Sequence, residues 1–217
     1  MKLRLNKLMA GLVMAGGAMA LVGCGGGDAP GFVLQEDAAL PAIKGTDAAS
    51  IATAKTIFTE ATGAAFTLPA LTFEGVGNEN KDVPEGSVLE IAAKTGATGA
   101  EIGNFTLSSG NDKAVGTIEA GSCVFKVAST PVPTGIFANM AGKTYKQEPC
   151  QIKLGVANLP VGTAGPAVVS LVLGDKTIPS NKTVQVTVTQ SGTNKATISV
   201  GGSTVVVDIP TGAAVLP

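Results

Sequence analysis

The alternation of apolar and polar residues is clearest between residues 182 and 209. In "KTVQVTVTQ", Val184, Val186 and Val188 occupy every second position, with threonine and glutamine between them. "KATISV" and "STVVVDI" repeat this period of two, and the glycine-containing segments "SGTN" and "GGS" separate the three runs. Such alternation predicts half-buried strands, and glycine accepts the positive φ of tight turns. Residues 182–209 are therefore predicted to form a three-stranded antiparallel meander.

Shorter apolar runs, separated by glycine, proline, asparagine and aspartate, extend the strand pattern through much of the chain. They predict strands near residues 71–76, 87–93, 102–107, 114–118, 123–128, 150–156 and 167–173. The segment "TDAASIATAKTIFTEA" is different, because Ile51, Ala54 and Phe58 recur at spacings of three and four. This spacing predicts the one helix, with an apolar stripe that packs on the domain or binds a partner.

The pattern predicts an all-β protein, mainly antiparallel and sandwich-like or barrel-like, with one short N-terminal helix. The expected organisation is a signal peptide (1–23), a lipidated cysteine with a flexible tether (24–45), a short helix (46–63) and a β domain (64–217). Ser-Gly and Lys-Ala recur at equivalent places in two strand-rich segments, residues 105–127 and 186–209. Convergent hairpin chemistry or an internal duplication explains this repeat, and duplication would make 64–130 and 150–210 related halves.

The first 24 residues have the layout of an export signal. Lys2, Arg4 and Lys7 form a basic start, and an apolar run from Leu8 to Val22 leads to Cys24. The run is too short and too rich in glycine for a good membrane-spanning helix. Leu21-Val22-Gly23-Cys24 closely resembles the bacterial lipobox.

The resemblance implies a lipoprotein anchored in the bacterial cell envelope. In that family the cysteine sulfur receives a diacylglyceryl group, the preceding peptide is cleaved, and the new N-terminus usually receives an acyl chain such as palmitate. An aspartate directly after the cysteine favours retention in the inner membrane. Gly25 stands there in this chain, so the resemblance favours the outer membrane if the cell is Gram-negative.

Charge and composition narrow the class of partner. The segment after residue 23 has 12 basic and 16 acidic side chains, a net charge of −4. No basic patch is visible along the sequence, so a nucleic-acid partner is not expected. The expected partners are the membrane, through the lipid, and a protein or glycan.

Lipidation of Cys24 leaves Cys123 and Cys150 as the remaining cysteines. In the oxidising compartment that an exported protein enters, one disulfide between them is the simplest interpretation. It would stabilise the fold by roughly 3–4 kcal/mol in the chain-entropy model. A metal site and two free thiols are the alternatives, and two thiolates alone do not complete a tetrahedral site.

The chain contains no histidine, which excludes Ser-His-Asp and Cys-His catalysis and histidine-based metal sites. "KTG" at 94–96 is similar to a motif of serine β-lactamases, but no serine is followed three residues later by lysine. "GKT" at 142–144 lacks the earlier glycine of a phosphate loop. No catalytic residue and no cofactor are predicted, so the protein is not expected to be an enzyme. An enzyme would need a carboxylate cluster, for example Glu74, Asp82 and Glu85, with a pKa raised by burial.

Asn78, Asn80 and Asp82 alternate as ligands do in calcium loops. Val83 and Leu89 stand where such a loop needs glycine and a bidentate acid, so a solvated loop is the alternative.

Hydroxyl side chains fill the polar positions of the predicted meander: Thr183, Thr187, Thr189, Thr197 and Ser199. Threonine suits exposed strand positions through β-propensity alone, but a flat hydroxyl face also suits a glycan or another surface. The sequence therefore predicts a lipid-anchored envelope protein with a structural, adhesive or surface-interaction role through a disulfide-closed β domain. The alternative is a periplasm-facing binding or assembly accessory that captures a small ligand or an envelope component.

Overall fold

The computed structural model describes residues 37–40, 47–157, 159–192 and 195–208, which form one curled half-barrel sheet and one short α-helix. The helices are α1 (Ala48–Glu60) and a 3-10 helix (Gly135–Met140). The first nine strands are β1 (Ala38–Leu40), β2 (Ala65–Thr67), β3 (Leu71–Gly75), β4 (Lys81–Val83), β5 (Val88–Ala92), β6 (Glu101–Ser109), β7 (Asp112–Glu119), β8 (Val124–Val127) and β9 (Thr144–Lys146). They are followed by β10 (Cys150–Leu154), β11 (Ala164–Leu173), β12 (Lys176–Gly192), β13 (Lys195–Val200) and β14 (Ser203–Asp208). Strands β2–β9 form the first part of the sheet, and β1 with β10–β14 forms the second part.

The architecture confirms the predicted all-β class with one short helix. Every strand predicted from the apolar runs is present, and residues 182–192 and 195–208 lie in the antiparallel meander β12–β13–β14. Helix α1 begins after Asp47, whose Oδ1 accepts a hydrogen bond from the Ser50 N–H at 2.9 Å. This bond satisfies one of the free donors at the helix N-terminus.

Four three-residue strands were not predicted, because a run of three residues shows no period: β1, β2, β4 and β9. Strand β1 lies inside the segment 24–45 that was expected to be a tether, and it pairs with β10. Backbone hydrogen bonds to β10, rather than a sequence pattern, place Ala38–Leu40 in the sheet.

The sheet runs in the order β1-β10-β11-β12-β2-β5-β6-β7-β8-β9-β3-β4, with β13 and β14 added to β12. All of its pairings are antiparallel. The apolar side chains of both parts belong to a single buried cluster. Among the described residues, no helix has the length and apolar character needed to cross a membrane.

Strand β12 joins the two parts of the sheet. It pairs with β11 along residues 176–187, with β13 along residues 187–192, and with β2 at Ser180 opposite Phe66. At this junction the Asn181 side chain accepts a hydrogen bond from the Ala65 N–H at 3.0 Å. The Lys182 ammonium donates to the Thr62 carbonyl. One long strand therefore pairs with strands of both parts of the sheet.

Helix α1 packs against β5 and β6 of the first part and against β13 and β14 of the second. Its buried side chains are Ala54, Ile57 and Phe58. The Phe58 ring lies directly over Gly103, where a Cβ atom would stand 2.4 Å from Phe58 Cδ1 and 2.7 Å from the Ala92 carbonyl oxygen. Glycine at position 103 is thus what allows the helix to approach β6.

Cys123 and Cys150 form the predicted disulfide, with their Cα atoms 5.7 Å apart. Cys123 immediately precedes β8 and Cys150 begins β10, so the bridge ties the two parts of the sheet together. Both cysteines are buried. Phe125 lies two residues beyond Cys123. Its ring stacks on Phe73 with the ring centroids 5.0 Å apart, and it meets Phe105 edge-on with the centroids 5.3 Å apart.

We expect Gly103→Ala to destabilise the fold by about 1–3 kcal/mol, because an added methyl group overpacks the contact with Phe58. Chemical denaturation of the two proteins measures the difference. Asn104→Ala, a change at the next and only partly buried position, is the control and should cost less than about 1 kcal/mol. Equal losses for the two variants would contradict this account of the helix contact.

Replacing both cysteines, Cys123→Ala with Cys150→Ala, should lower the free energy of unfolding by roughly 3–4 kcal/mol. The loop between them spans 27 positions, and opening it increases the conformational freedom of the unfolded chain. Thermal unfolding with and without a reductant measures the effect. A wild-type melting temperature that is insensitive to reductant, with both thiols free on peptide mapping, is the contrary result.

Candidate interaction surface

The outward side of strands β11–β14 forms a surface with few charges, which we call the hydroxyl face. It is defined by eleven side chains: Ala164, Pro166, Val168, Thr183, Gln185, Thr187, Thr189, Thr197, Ser199, Thr204 and Val206. Thr197 and Ser199 are half-buried and the other nine are exposed. The intervening residues of β12 and β13, among them Val184, Val186, Val188 and Ile198, are buried in the core.

The register aligns these side chains in rows across the strands. Thr187 lies opposite both Ala164 and Ser199, and Ser199 lies opposite Thr204. A second row runs from Thr189 through Thr197 to Val206. Neighbouring strands are about 4.8 Å apart and alternate residues of one strand about 6.7 Å apart, so the hydroxyl groups form a regular array.

Two charged side chains point to the same outward side, at one end of the hydroxyl face. They are the Lys195 ammonium and the Asp208 carboxylate, which pair with each other at 3.0 Å. Thr189 Oγ1 donates to the Thr197 carbonyl at 3.4 Å, whereas the hydroxyls of Thr183, Thr187 and Thr204 bond to no other described residue. These groups are therefore free to exchange hydrogen bonds with water or with a partner.

The prediction of a hydroxyl face was correct for β12 and β13 but incomplete. The structure adds β11, with Pro166 and Val168, and β14, with Thr204 and Val206. The alternation of "STVVVDI" already places Thr204 and Val206 outward, so this part of the surface was available from the sequence. The contribution of β11 was not, because it depends on how β11 pairs with β12.

Cys24, the predicted lipidation site, lies outside the described residues.

The three residues of the calcium hypothesis lie in and beside the β3–β4 hairpin. Asn80 Oδ1 accepts from the Gly75 N–H at 3.0 Å, and Asp82 Oδ1 accepts from the Thr72 hydroxyl at 2.6 Å. The Asn78 amide donates to the Glu79 carbonyl at 2.9 Å. Within the described ranges, no group of three or more cysteine, aspartate or glutamate side chains is arranged to hold a metal ion. The three side chains thus serve the hairpin itself, and calcium binding here stays an untested hypothesis.

The other sequence motifs have local partners. In "KTG", the Lys94 ammonium pairs with Glu101 at 2.8 Å, and this hydrogen bond lowers the pKa of the Glu101 carboxyl. The Lys55 ammonium of α1 donates to the Ala97 carbonyl in the same loop at 3.2 Å. Of the carboxylates considered for an enzyme, Glu74 lies 3.4 Å from Lys146, and Glu85 is exposed. These contacts hold the loop between β5 and β6 against β6 and α1, and they hold β3 against β9.

An open depression of about 550 Å³ lies between the β3–β4 hairpin and the 3-10 helix. Leu71, Val83 and Ile136 line it, and the Lys81 ammonium closes one side by donating to the Ile136 carbonyl. A second open depression of about 470 Å³ lies between Pro69 and Pro179. Neither is enclosed in the way that small-molecule sites usually are.

Comparison of the chain with protein-family models, with curated proteins and with solved structures found no match.

Replacing a core residue of β13 and its outward neighbour tests which face of the meander is buried. We expect Ile198→Ala to destabilise the protein by about 2–5 kcal/mol, because the side chain is fully buried. Thr197→Ala should cost less than about 1 kcal/mol, because it faces outward. Urea denaturation measures both, and a larger loss for the threonine variant would mean that the strand faces are assigned the wrong way round.

Proposed function

We propose that the protein is a lipid-anchored lipoprotein of the bacterial cell envelope with a structural, adhesive or surface-interaction role. The observation that carries the proposal is the hydroxyl face, a surface over four strands whose charged neighbours, Lys195 and Asp208, pair with each other. It occurs on a protein whose Leu21-Val22-Gly23-Cys24 resembles a lipobox. The anchor would hold the domain at a membrane, and the face would meet another component of the envelope.

The chemistry of the face favours a neutral partner. Free threonine hydroxyls donate and accept hydrogen bonds, and their methyl groups, with Val168 and Val206, supply apolar contact. A neutral glycan or the polar surface of an envelope protein offers matching groups, whereas a strongly charged polymer would find only the mutually paired Lys195 and Asp208. An extended partner is also favoured over a small ligand, since the two depressions of about 550 and 470 Å³ are open rather than enclosed.

The length of chain between the anchor and the domain limits where that partner can lie. From Cys24 to Asp37, where the described residues begin, the chain can span at most about 45 Å. Two or more acyl chains make membrane attachment durable, because each buried methylene contributes about 0.8 kcal/mol. The partner would therefore lie within a few tens of ångströms of the bilayer.

The anchor can be tested by a change at the residue after the cysteine. In wild-type cells we expect mass spectrometry to find acylated Cys24, and membrane fractionation to recover the protein with the outer membrane. Gly25→Asp should keep the acyl groups but move the protein to the inner-membrane fraction, because aspartate at that place favours retention in the lipoprotein pattern. An unmodified Cys24 thiol in the mature protein would refute the anchor.

The face can be tested by adding charge to it. The protein is solubilised from membranes in detergent and mixed with isolated cell-wall sacculi or with outer-membrane vesicles, and co-sedimentation is measured. Thr187→Lys should reduce binding at least several-fold with an unchanged melting temperature, because the lysine projects from the centre of the face. Thr59→Lys, an exposed position on α1, is the matched control and should bind as the wild type does. Equal binding by both variants would show that the hydroxyl face does not contact the partner.

A further inference from the structure

Strand β14 is an edge of the sheet that its neighbours leave partly uncovered. It pairs with β13, and no other described strand pairs with its outer side. Its inward side chains, Val205 and Val207, pack on the core but are only partly buried. The inward residues of the strand beside it are buried throughout: Ala196, Ile198 and Val200. One further strand beyond β14 would complete the burial of its valines.

The sequence of β14 lacks the features that usually prevent edge-to-edge association. Proteins protect sheet edges with short strands, lysine, proline or bulges. The other free edges follow this rule, since β1 and β4 have three residues each and β4 carries Lys81 and Asp82. Strand β14 has six residues in regular register with β13, and its central run, residues 204–207, is uncharged. Val206 on its outward side is 56% exposed.

We propose that β14 pairs antiparallel with β14 of a second copy of this chain, with Val206 on the two-fold axis. In antiparallel pairing, directly opposite residues point to the same side of the sheet. Only registers that oppose outward residues to outward residues keep the valines inside, because a shift of one residue reverses every side chain. A register centred on Val206 meets this condition and continues the hydroxyl face across both copies.

This register is also complementary in chemistry. It opposes Val206 to the partner's Val206 and Val205 to the partner's Val207, so all three valines of the strand meet valines. It opposes the Thr204 hydroxyl to the partner's Asp208 carboxylate, a donor to an acceptor, on both sides of the axis. No like charges face each other. Centring on Val205 instead would oppose Thr204 to the partner's Val206 and leave the Asp208 carboxylate opposite glycine.

Pairing of two edges does not require the lipid anchor, so the dimer and the proposed envelope function can fail separately. Cysteine cross-linking of the full-length protein in detergent, under a mild oxidant, tests the dimer. Directly opposed residues have Cβ atoms about 4.5–5.5 Å apart, close to the spacing of a disulfide. Val206→Cys should give a disulfide-linked dimer, whereas Thr187→Cys, on an interior strand of the same face, should not exceed the wild-type background.

The register has its own test. Thr204→Cys and Asp208→Cys should each cross-link poorly alone and strongly when the two proteins are mixed, because each faces the other across the axis. Absence of dimer from Val206→Cys, or an adduct with the mass of another protein, would overturn the proposal. Failure of the mixed pair to cross-link would overturn the register.

Light scattering after size-exclusion chromatography provides the second measurement. The wild type should have twice the mass of Val206→Lys after correction for detergent, because lysine on the axis places two like charges together. Val168→Lys, 40% exposed on β11 of the same face, is the matched control and should remain dimeric. Equal melting temperatures of the two lysine variants would show that both are folded. A wild type with monomer mass would contradict the inference.

Discussion

The burial of alternate aliphatic side chains along β12 is the constraint on which the rest of the structure depends. Ile178, Val184, Val186 and Val188 point into the core from one 17-residue strand that contacts β11, β13 and β2. Because side chains of a strand alternate, fixing the valines inside also fixes the threonines outside. The core and the hydroxyl face are therefore two results of one register, and neither can change without the other.

Three further contacts hold the two parts of the sheet around β12. Helix α1 packs across both parts, the Cys123–Cys150 bridge joins β8 to β10, and Asn181 and Lys182 bond to the backbone near β2. Each uses a different kind of interaction: apolar packing, a covalent bond and hydrogen bonds. The packing of helix α1 depends on Gly103, because only glycine leaves room for the Phe58 ring. In this domain with few aromatic side chains, three separate contacts thus hold the two parts of the sheet together.

The sequence predicted those features that repeat with a period. The alternation in 182–209 was long enough to predict three strands and both of their faces, and the spacing of Ile51, Ala54 and Phe58 predicted α1. The pairing order was not accessible, because nothing local indicates that β2 meets β12 or that β1 adds to β10. The same limit applies to the hydroxyl face, where β11 joins through pairing. Lipidation at Cys24 depends on a motif outside the described residues and remains a proposal.

The proposed role of the hydroxyl face requires that a partner covers this face in the cell. Labelling of an introduced cysteine in the native envelope measures this directly. In permeabilised cells, a small maleimide should label Thr187→Cys several-fold more slowly than Thr59→Cys, and the two rates should become similar after solubilisation and purification. Equal rates of labelling in the envelope would mean that the face is exposed to solvent there, and would contradict the surface-interaction role.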